Sequence, residues 1–373
     1  MAKLLVATDW AGTVTVLPIE RRDDSQYDLI VRRVRSWCKV DARLPLARRP
    51  EGAYPFARSD PPDTRSPEAR MRIPTGLASP LLAFLIGLAG PAEAEDFPKD
   101  LVSWTPSPAN PVFAGTGLDR GWDRLIRERG WILEEDGLFH LWYTGYNDDR
   151  SPNRNLGYAI SLDGLNWHRW PSNPIVSTSW VEDVCVVKHD GIYQMFAEGE
   201  RDIAHRLTST DGIHWKEEGP LDIRKVDGTS IPPGPRGTPT AFFEDGTWFL
   251  LYERGDRGDW LATSTDLKVW TNKQDEPVLA MGPDAYDKYA VAINQVIRRD
   301  GVYYAYYHAN AHNPWQKDWT TNIARSRDLI HWEKYPGNPL ILNNSSSSQL
   351  VPIGGRGRLY TMHPEVRAFE PEK

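Results

Sequence analysis

Residues 131–143 read WILEEDGLFHLWY, and this stretch decides the fold. An apolar run leads to the pair Asp136-Gly137, and an aromatic run follows it. An Asp-Gly pair between two apolar runs is a strong signal for a two-residue hairpin turn. The sequence therefore predicts two antiparallel strands that are joined at Asp136-Gly137.

The same hairpin recurs at a spacing of roughly 50–60 residues, which is in the range of propeller blades. Each hairpin is followed by a turn of the form Ser-x-Asp-x-x-x-Trp, as in residues 161–167. Asp and Ser in turns commonly bond to their own backbone, so we interpret this recurrent turn as structural. The predicted inner hairpins span residues 131–143, 185–196, 241–252 and 291–307.

A fifth hairpin, residues 349–362, lacks the Pro-rich edge segment that follows a complete blade, such as residues 171–175. A matching segment stands in front of the first blade, at residues 104–113. We expect this N-terminal strand to complete the last blade, because ring closure removes an open sheet edge. The sequence thus predicts an all-β, five-bladed β-propeller over residues 102–373.

The composition agrees with an all-β chain and narrows the partners. Among 373 residues there are 30 Pro and 29 Gly, which favours many turns. The net charge is −7, and the predicted propeller has no basic block, so nucleic acid is not an expected partner. Two cysteines allow at most one disulfide and have no metal-site spacing.

The N-terminal quarter of the chain has a different character. Residues 1–70 are rich in Arg, Pro and Asp, and we predict a disordered or mis-called extension. Residues 71–94 combine a basic start, an apolar run and a small-x-small end, which are the parts of a secretory signal. We therefore expect translation to start at Met71 and the mature protein to be secreted or periplasmic, without a membrane segment after cleavage. The alternative is a buried hydrophobic helix that joins two domains.

Strand direction separates the two faces of the predicted propeller. The Asp-Gly turns and the Ser-x-Asp turns fall on one face, and the irregular loops fall on the other. Charged residues at the start of the inner strands are costly to bury unless they are paired or face a solvated pocket. We expect several of them to converge on one funnel; the alternative is a set of solvated or ion-paired residues that plug the channel. Aromatic side chains stand near these carboxylates, for example Trp315 in the loop 308–319. A site that combines the two kinds of side chain suits a carbohydrate ligand.

Two motifs carry a family resemblance, Asp190-Gly191-Ile192-Tyr193 and the turn at residues 209–215. Over residues 102–373 the chain resembles the five-bladed propeller glycoside hydrolases of families 43 and 32, which include arabinanases, β-xylosidases and fructosidases. The resemblance implies an Asp base or nucleophile on blade 1, an orienting Asp on blade 2 and a Glu acid on blade 3. Asp183 matches the second of these positions.

The other two positions depart from the family pattern. Arg129-Gly130 stands in the register of the first carboxylate, with Glu128 one residue earlier, and Arg236 stands where the acid is expected. A substitute acid has to come from elsewhere on the funnel. His308 is one candidate, since the similar α-neoagarobiose hydrolases look as though they use a His acid.

We therefore predict a secreted glycoside hydrolase that acts on a poly- or oligosaccharide. The base is Glu128 or Asp123, the orienting pair is Asp183 with Glu182, and the acid is Glu253, Glu198 or His308. The residues predicted to be catalytic are Glu128, Asp183, Glu253 and His308; those predicted to bind substrate are Asp123, Arg129, Glu182, Glu198, Arg236, Asn294 and Trp315.

Two alternatives stay open. One is a phosphorylase of the mannoside type, in which Arg127, Arg129, Arg236 and Lys288 would hold phosphate, because Arg suits bidentate oxyanion contacts. The other is a lectin-like propeller that binds glycans without turnover. No cofactor is predicted, and no ligand spacing demands a metal. A structural calcium on the propeller axis, as in some relatives, stays open.

Overall fold

The computed structural model describes residues 3–8, 14–19, 96–148 and 154–372. The chain divides into two compact units, Met1–Glu95 and Asp96–Lys373. In the first unit, β1 (Lys3–Thr8) pairs with β2 (Val14–Ile19) in an antiparallel sheet. The predicted signal at residues 71–94 and the rest of the predicted extension lie outside the described residues, so both stay predictions.

The second unit consists of five antiparallel blades, and α1 (Lys99–Val102) is its single helix in the described part. Blade 1 contains five strands, of which the first and the last are short. Blade 2 contains four strands that pair in chain order. Their strands are β4 (Leu125–Ile126), β5 (Trp131–Glu135), β6 (Leu138–Tyr146), β7 (Asn155–Ser161), β8 (His168–Arg169), β9 (Glu182–His189), β10 (Ile192–Gly199), β11 (Ile203–Ser209) and β12 (Lys216–Pro220).

Blade 3 is the largest, because a parallel strand and a short antiparallel strand extend it. Its strands are β13 (Asp222–Arg224), β14 (Gly237–Glu244), β15 (Thr247–Glu253), β16 (Gly258–Ser264), β17 (Val269–Asn272) and β18 (Leu279–Ala280). Blade 4 contains β19 (Ala290–Arg299), β20 (Val302–Asn310), β21 (Thr320–Ser326) and β22 (Glu333–Lys334). Blade 5 contains β23 (Ser346–Ile353), β24 (Arg356–His363) and β25 (Arg367–Pro371).

The N-terminal strand of the propeller closes the ring. Strand β3 (Trp104–Pro106) pairs with β25, so that Pro106 lies opposite Phe369 and Trp104 opposite Pro371. Further along, Phe113 forms a bridge with Val366. The predicted five-bladed propeller and its mode of closure are both confirmed.

The recurrent turns have the backbone geometry that the sequence predicts. Asp136 and Gly137 have φ angles of 53° and 75°, and the Asp-Gly turns of the inner hairpins at residues 190–191, 245–246 and 300–301 repeat this conformation. Positive φ at both central residues is the requirement of a type I′ hairpin turn. In the following turn, Asp163 Oδ1 accepts hydrogen bonds from the backbone N–H of Leu165 and Asn166. The structural interpretation of the Ser-x-Asp turns is confirmed.

Aromatic side chains fill the space between neighbouring blades. Trp142 of blade 1 is fully buried, and its indole N–H donates to the carbonyl of Gly212 in blade 2 at 2.7 Å. The ring of Trp142 also packs against Tyr193 and Trp215 of blade 2. Burial of one such side chain contributes about 1.5–3 kcal/mol, so these contacts fix the blades relative to one another.

Candidate active site

The inner strands are irregular at one common level, near the end where each begins. Glu128, Asp183, Thr238 and Ser347 have φ angles of 62°, 46°, 43° and 56°, although none of them is glycine. On blade 4 the ladder shifts register at Asn294 instead. Left-handed backbone at such residues costs on the order of 1–3 kcal/mol each and is typical of functional sites. Several of the residues predicted at the funnel, among them Glu128 and Asp183, lie at this level.

Glu128 is an ionised carboxylate with cationic neighbours. It forms an ion pair with Arg127, and its Oε2 lies 3.6 Å from His363 Nδ1. Burial opposes ionisation, but the contacts with His363, Arg127 and His308 outweigh it and lower the pKa of Glu128 to about 2. Glu128 therefore carries a negative charge over the whole neutral range.

The pKa values of Glu182 and Asp183 on blade 2 are raised, whereas that of Glu128 is lowered. Burial and the charge of Glu128 raise the pKa of Asp183 to about 6. The same causes, together with the charge of Asp183, raise the pKa of Glu182 to about 8, although Arg127 and Arg154 each lie 3.6 Å from its Oε1. The funnel thus contains one carboxylate that stays ionised, Glu128, one carboxyl group that titrates just below neutral pH, Asp183, and one that holds its proton at neutral pH, Glu182.

Glu198 of blade 2 and Glu253 of blade 3 meet at Gly237. Glu198 accepts the backbone N–H of Thr238, and Glu253 accepts that of Gly237, both at 3.0 Å. Burial and the charge of Asp183 raise the pKa of Glu198 well above its usual value. Burial and the charge of Asp256 do the same for Glu253. Both carboxyl groups are therefore disposed to hold a proton at neutral pH. Glu198 is the partly exposed member of this pair, and Glu253 is buried.

His308 is held at both ring nitrogens. Asn294 Nδ2 lies 3.0 Å from Nδ1, and Asp256 Oδ1 lies 3.3 Å from Nε2. Burial acts to lower the pKa of His308, but the hydrogen bond to Asp256 and the neighbouring carboxylates raise it. Protonation of Nδ1 would require the amide of Asn294 to turn over, since two donors would otherwise face each other. His308 and Asn294 both lie at the funnel, but both are hydrogen-bonded to other groups of the protein.

The placement of Arg129 differs from the predicted substrate contact. Its side chain is fully buried, and its donors are directed at protein oxygens. The guanidinium donates to the carbonyls of Val184, Asp183, Pro239 and Asn294 and to the hydroxyl of Thr240. A side chain that is enclosed in this way lies beneath the funnel and holds blades 2, 3 and 4 together.

Asp123 and Arg236 also lie apart from the cluster of carboxyl groups. Asp123 is buried against Arg169 of the outer strand β8, at 2.8 Å, and accepts the hydroxyl of Tyr143. Such an ion pair is structural, so the structure does not support Asp123 as a base. The guanidinium of Arg236 lies close enough to Arg254 for the two charges to interact, and burial followed by this repulsion lowers its pKa.

The loop before β21 places two tryptophans beside His308. Trp315 is 49% exposed, and its indole N–H donates to the carbonyl of Tyr289 at 3.2 Å. Its ring meets the edge of Trp319 at a centroid distance of 5.4 Å, and Trp319 in turn contacts His308 at 5.1 Å. Trp315 therefore presents a fixed, exposed aromatic surface, and its predicted contact with substrate stays a prediction.

Three further residues belong to the site but were not singled out from the sequence. Asp256 bonds to His308, and Asp259 is fully buried with its pKa raised to about 7 by burial. Arg154 lies between the rings of Tyr146 and Trp180, at 4.7 and 4.6 Å, beside Glu182. Asp256 belongs to an irregular run of charged residues after β15, which is a signal that could have found it. Asp259 and Arg154 have no comparable signal, because Asp259 enters from β16 and Arg154 from the residue before β7, both outside the inner hairpins.

No group of three or more His, Cys, Asp or Glu side chains in the described ranges is arranged to hold a metal ion. Likewise, none of the helices in those ranges is both apolar and long enough to cross a membrane.

The sequence is similar to two named proteins. No protein-family model matches it. A 1,2-beta-oligomannan phosphorylase of Thermoanaerobacter sp. (strain X514) is 28% identical over 248 residues, which cover 57% of this chain and 79% of that protein. A probable sucrose-6-phosphate hydrolase of Psychromonas ingrahamii is 25% identical over 169 residues, 39% of this chain and 30% of that protein.

Solved structures share the architecture. A glycosyl hydrolase from Bacteroides ovatus superimposes with a TM-score of 0.59 and 17% identity, over 75% of this chain and 98% of that one. The chain therefore shares the fold of this structure. The β-1,2-mannobiose phosphorylase from Listeria innocua matches this propeller with a TM-score of 0.53 and 14% identity, over 72% and 96% of the two chains.

A third structure is described under the GH130 family of mannoside phosphorylases. That family contains glycoside hydrolases that target beta-1,2 mannosidic linkages in Candida mannan. It matches the propeller with a TM-score of 0.55 and 16% identity, over 74% of this chain and 95% of that one. The comparisons therefore support the propeller fold in general, and they do not confirm the resemblance to families 43 and 32 in particular.

Proposed function

We propose that the propeller is a glycoside hydrolase that cleaves β-mannosides, with β-1,2-linked oligomannosides as the first substrates to test. The observation that carries the proposal is the separation of pKa values in one cluster, about 2 for Glu128 against about 6 for Asp183. Glycoside hydrolysis needs one carboxyl group that donates a proton and another that is ionised. The linkage is suggested by the relatives named above.

Asp183 is the proposed general acid. Its pKa of about 6 lies near neutral pH, where a group can both hold a proton and give it to the leaving oxygen. This assignment revises the orienting role that the family resemblance implies for Asp183. Glu182, with a pKa of about 8, stays protonated beside it at neutral pH, so burial and the charge of Glu128 are what raise the pKa of Asp183.

Glu198 is the proposed base. The raised pKa of Glu198 makes its ionised form a strong base, and Glu198 is the partly exposed member of the Glu198–Glu253 pair. Glu128 has too low a pKa to be an efficient base. We assign Glu128 an electrostatic role, in which its charge stabilises the positive charge that develops on the sugar ring.

Rescue by azide distinguishes the proposed base, Glu198, from Glu128 experimentally. Replacement of a base by alanine makes room for azide, which needs no deprotonation to attack the sugar. We expect azide to restore turnover to Glu198→Ala and to leave Glu128→Ala inactive. Restoration of Glu128→Ala alone would assign the base to Glu128 instead.

The phosphorylase alternative rests on the Thermoanaerobacter relative and on Arg127 and Arg154 near the funnel. Both arginines lie 3.6 Å from Glu182 Oε1, and the surrounding carboxyl groups disfavour a phosphate dianion. The decisive experiment is incubation with β-1,2-mannobiose, with and without inorganic phosphate. Free mannose in both reactions supports hydrolysis, and mannose 1-phosphate formed only with phosphate supports the phosphorylase. Binding without any product supports the lectin-like alternative.

We also propose that residues 71–94 direct secretion and that the chemistry needs no cofactor, since carboxyl groups supply both proton transfers. N-terminal sequencing of exported protein tests the first point, and a start within residues 1–70 would contradict it. Activity after treatment with EDTA tests the second, and loss of turnover would point to a required metal ion.

A further inference from the structure

Arg129 contacts Asp183 through both its main chain and its side chain. Its backbone N–H donates to Asp183 Oδ1 at 3.1 Å, and its guanidinium donates to the Asp183 carbonyl at 2.6 Å. The same guanidinium donates to the next carbonyl, that of Val184, at 3.1 Å. One residue of blade 1 therefore fixes the carboxyl group of Asp183 and the peptide groups on its C-terminal side.

Asp183 needs such support because its backbone is strained. Its φ angle of 46° lies in the left-handed region that side chains other than glycine rarely adopt. Thr238, the equivalent residue of blade 3, has a φ angle of 43°, and the carbonyl of the following Pro239 also accepts from Arg129, at 2.7 Å. Strained positions persist only where their surroundings fix them.

We propose that Arg129 is the positioning residue of the general acid: from beneath the funnel it holds Asp183 in the backbone conformation that presents its carboxyl group to the substrate. The role as an acid rests on the proposed function, whereas the positioning of Asp183 does not. Arg129 touches no substrate in this arrangement, because its side chain is fully buried.

Arg129 also acts on Asp183 through its charge. Burial and Glu128 raise the pKa of Asp183, and Arg129 and His308 lower it. The charged and titratable groups that face Asp183 are Glu128 and Arg129 from the link between β4 and β5, Glu182 from β9, Glu198 from β10 and His308 from β20. Loss of the Arg129 charge should therefore move the titration of Asp183 to higher pH. Lysine would keep the charge but not the planar fork of donors.

A cavity of about 340 Å³ lies beside Thr240, which is a hydrogen-bond partner of Arg129. Truncation of Arg129 therefore leaves a void next to the cavity. A small planar cation can enter there. The other lining residues are Trp131, Leu133, Glu134, Glu135, Val186, Val187, Lys188, Ala241, Phe242, Gln295 and Val296.

The experiment measures kcat, KM and the pH profile on β-1,2-mannobiose for R129A, R129K and R129Q. A displacement of about 1 Å can reduce the rate about 100-fold, so we expect R129A to lose about this factor in kcat with a smaller change in KM. Guanidinium at a non-denaturing concentration should restore R129A, and methylammonium should not. R129Q should shift the basic limb of the pH profile upward, and R129K should lower kcat without this shift.

Arg358 of blade 5 provides a matched control. It also donates to a backbone carbonyl, that of Asp163 at 2.7 Å, and pairs with Glu370, but on the face away from the funnel. We expect R358Q to keep the wild-type kcat and pH profile. If R129A does not fold, R129K and R129Q still decide the question, and a folded R129Q with wild-type kcat and pH profile overturns the proposal.

A titration without substrate separates this proposal from the proposed function. The carboxyl carbon of Asp183 can be followed by ¹³C NMR, with D183N to assign its signal. If the wild type hydrolyses none of the glycosides, the proposed function fails, but an upward shift in R129Q would still support the role of Arg129. Identical titrations of Asp183 in the wild type and R129Q would overturn it.

Discussion

Glu198 and Glu253 reach neighbouring backbone N–H groups, those of Thr238 and Gly237, from two different blades. A Cβ atom at position 237 would stand less than 3.0 Å from an oxygen of each carboxyl group. Glycine therefore fits where the two carboxyl groups meet, and the start of blade 3 is held by its own second strand and by blade 2.

Replacement of Gly237 by alanine should separate the pair and destabilise the propeller. Overpacking of this kind costs about 1–3 kcal/mol in the free energy of unfolding. Urea denaturation measures the cost. It should be smaller in an E198A background, because one of the two obstructing groups is then absent.

Gly191 is the matched control for this coupling. It has a φ angle of 77° in a hairpin turn, with open space around the position of a Cβ atom. Alanine there should be strained by the backbone alone, so its cost should be the same with and without E198A. Equal costs of G237A in the two backgrounds would contradict the proposed contact.

Glu182→Gln should change how stability depends on pH. The pKa of Glu182 is raised to about 8 in the folded protein, against about 4.3 in unfolded chains. A raised pKa contributes stability that is fully present below the unfolded value and lost as pH rises through the folded value. The wild type should therefore lose about 4 kcal/mol between pH 5 and pH 9 that E182Q retains.

Urea denaturation at the two pH values measures this difference. Glu333, an exposed carboxylate of blade 4, provides the control, and E333Q should follow the wild type. Parallel pH dependence of the wild type and E182Q would show that Glu182 ionises normally.

Asp183→Asn should remove the proton donor without unfolding the protein. General acid catalysis contributes typically 10²–10⁴-fold, and we expect a loss of this order on β-1,2-mannobiose. A dinitrophenyl β-mannoside needs little protonation of its leaving group, so D183N should retain much more of its activity on it. In the wild type, kcat/KM should decline above pH about 6 as Asp183 ionises. Equal losses on both substrates would assign the acid to another residue.

Trp315→Ala should weaken the binding of longer oligosaccharides. The exposed ring is fixed by Tyr289 and Trp319, and loss of a sugar contact of about 1.4 kcal/mol raises KM about tenfold. Trp260 of blade 3 also donates to a backbone carbonyl, that of Asp275, and W260A is the control. An unchanged KM for W315A with tri- and tetrasaccharides would exclude a sugar subsite at this ring.

The funnel could be predicted only in part from the sequence. Glu128, Asp183, Glu198, Glu253 and His308 stand next to recurrent hairpins, so their level on the propeller follows from counting along the strands. The role of Arg129 does not follow, because its partners come from blades 2, 3 and 4 and only ring closure brings their carbonyls together. Asp123 was predicted as a base, yet the outer strand β8 supplies Arg169 as its partner.

The sequence by itself determined the blades, their turns and the closure by residues 104–106, because Asp-Gly pairs, Ser-x-Asp turns and alternating strands act over short distances. Which carboxyl groups hold protons was decided only by the tertiary structure. Burial and charges from other blades set the pKa of Glu128 to about 2 and that of Glu182 to about 8, although both are glutamates at the start of an inner strand.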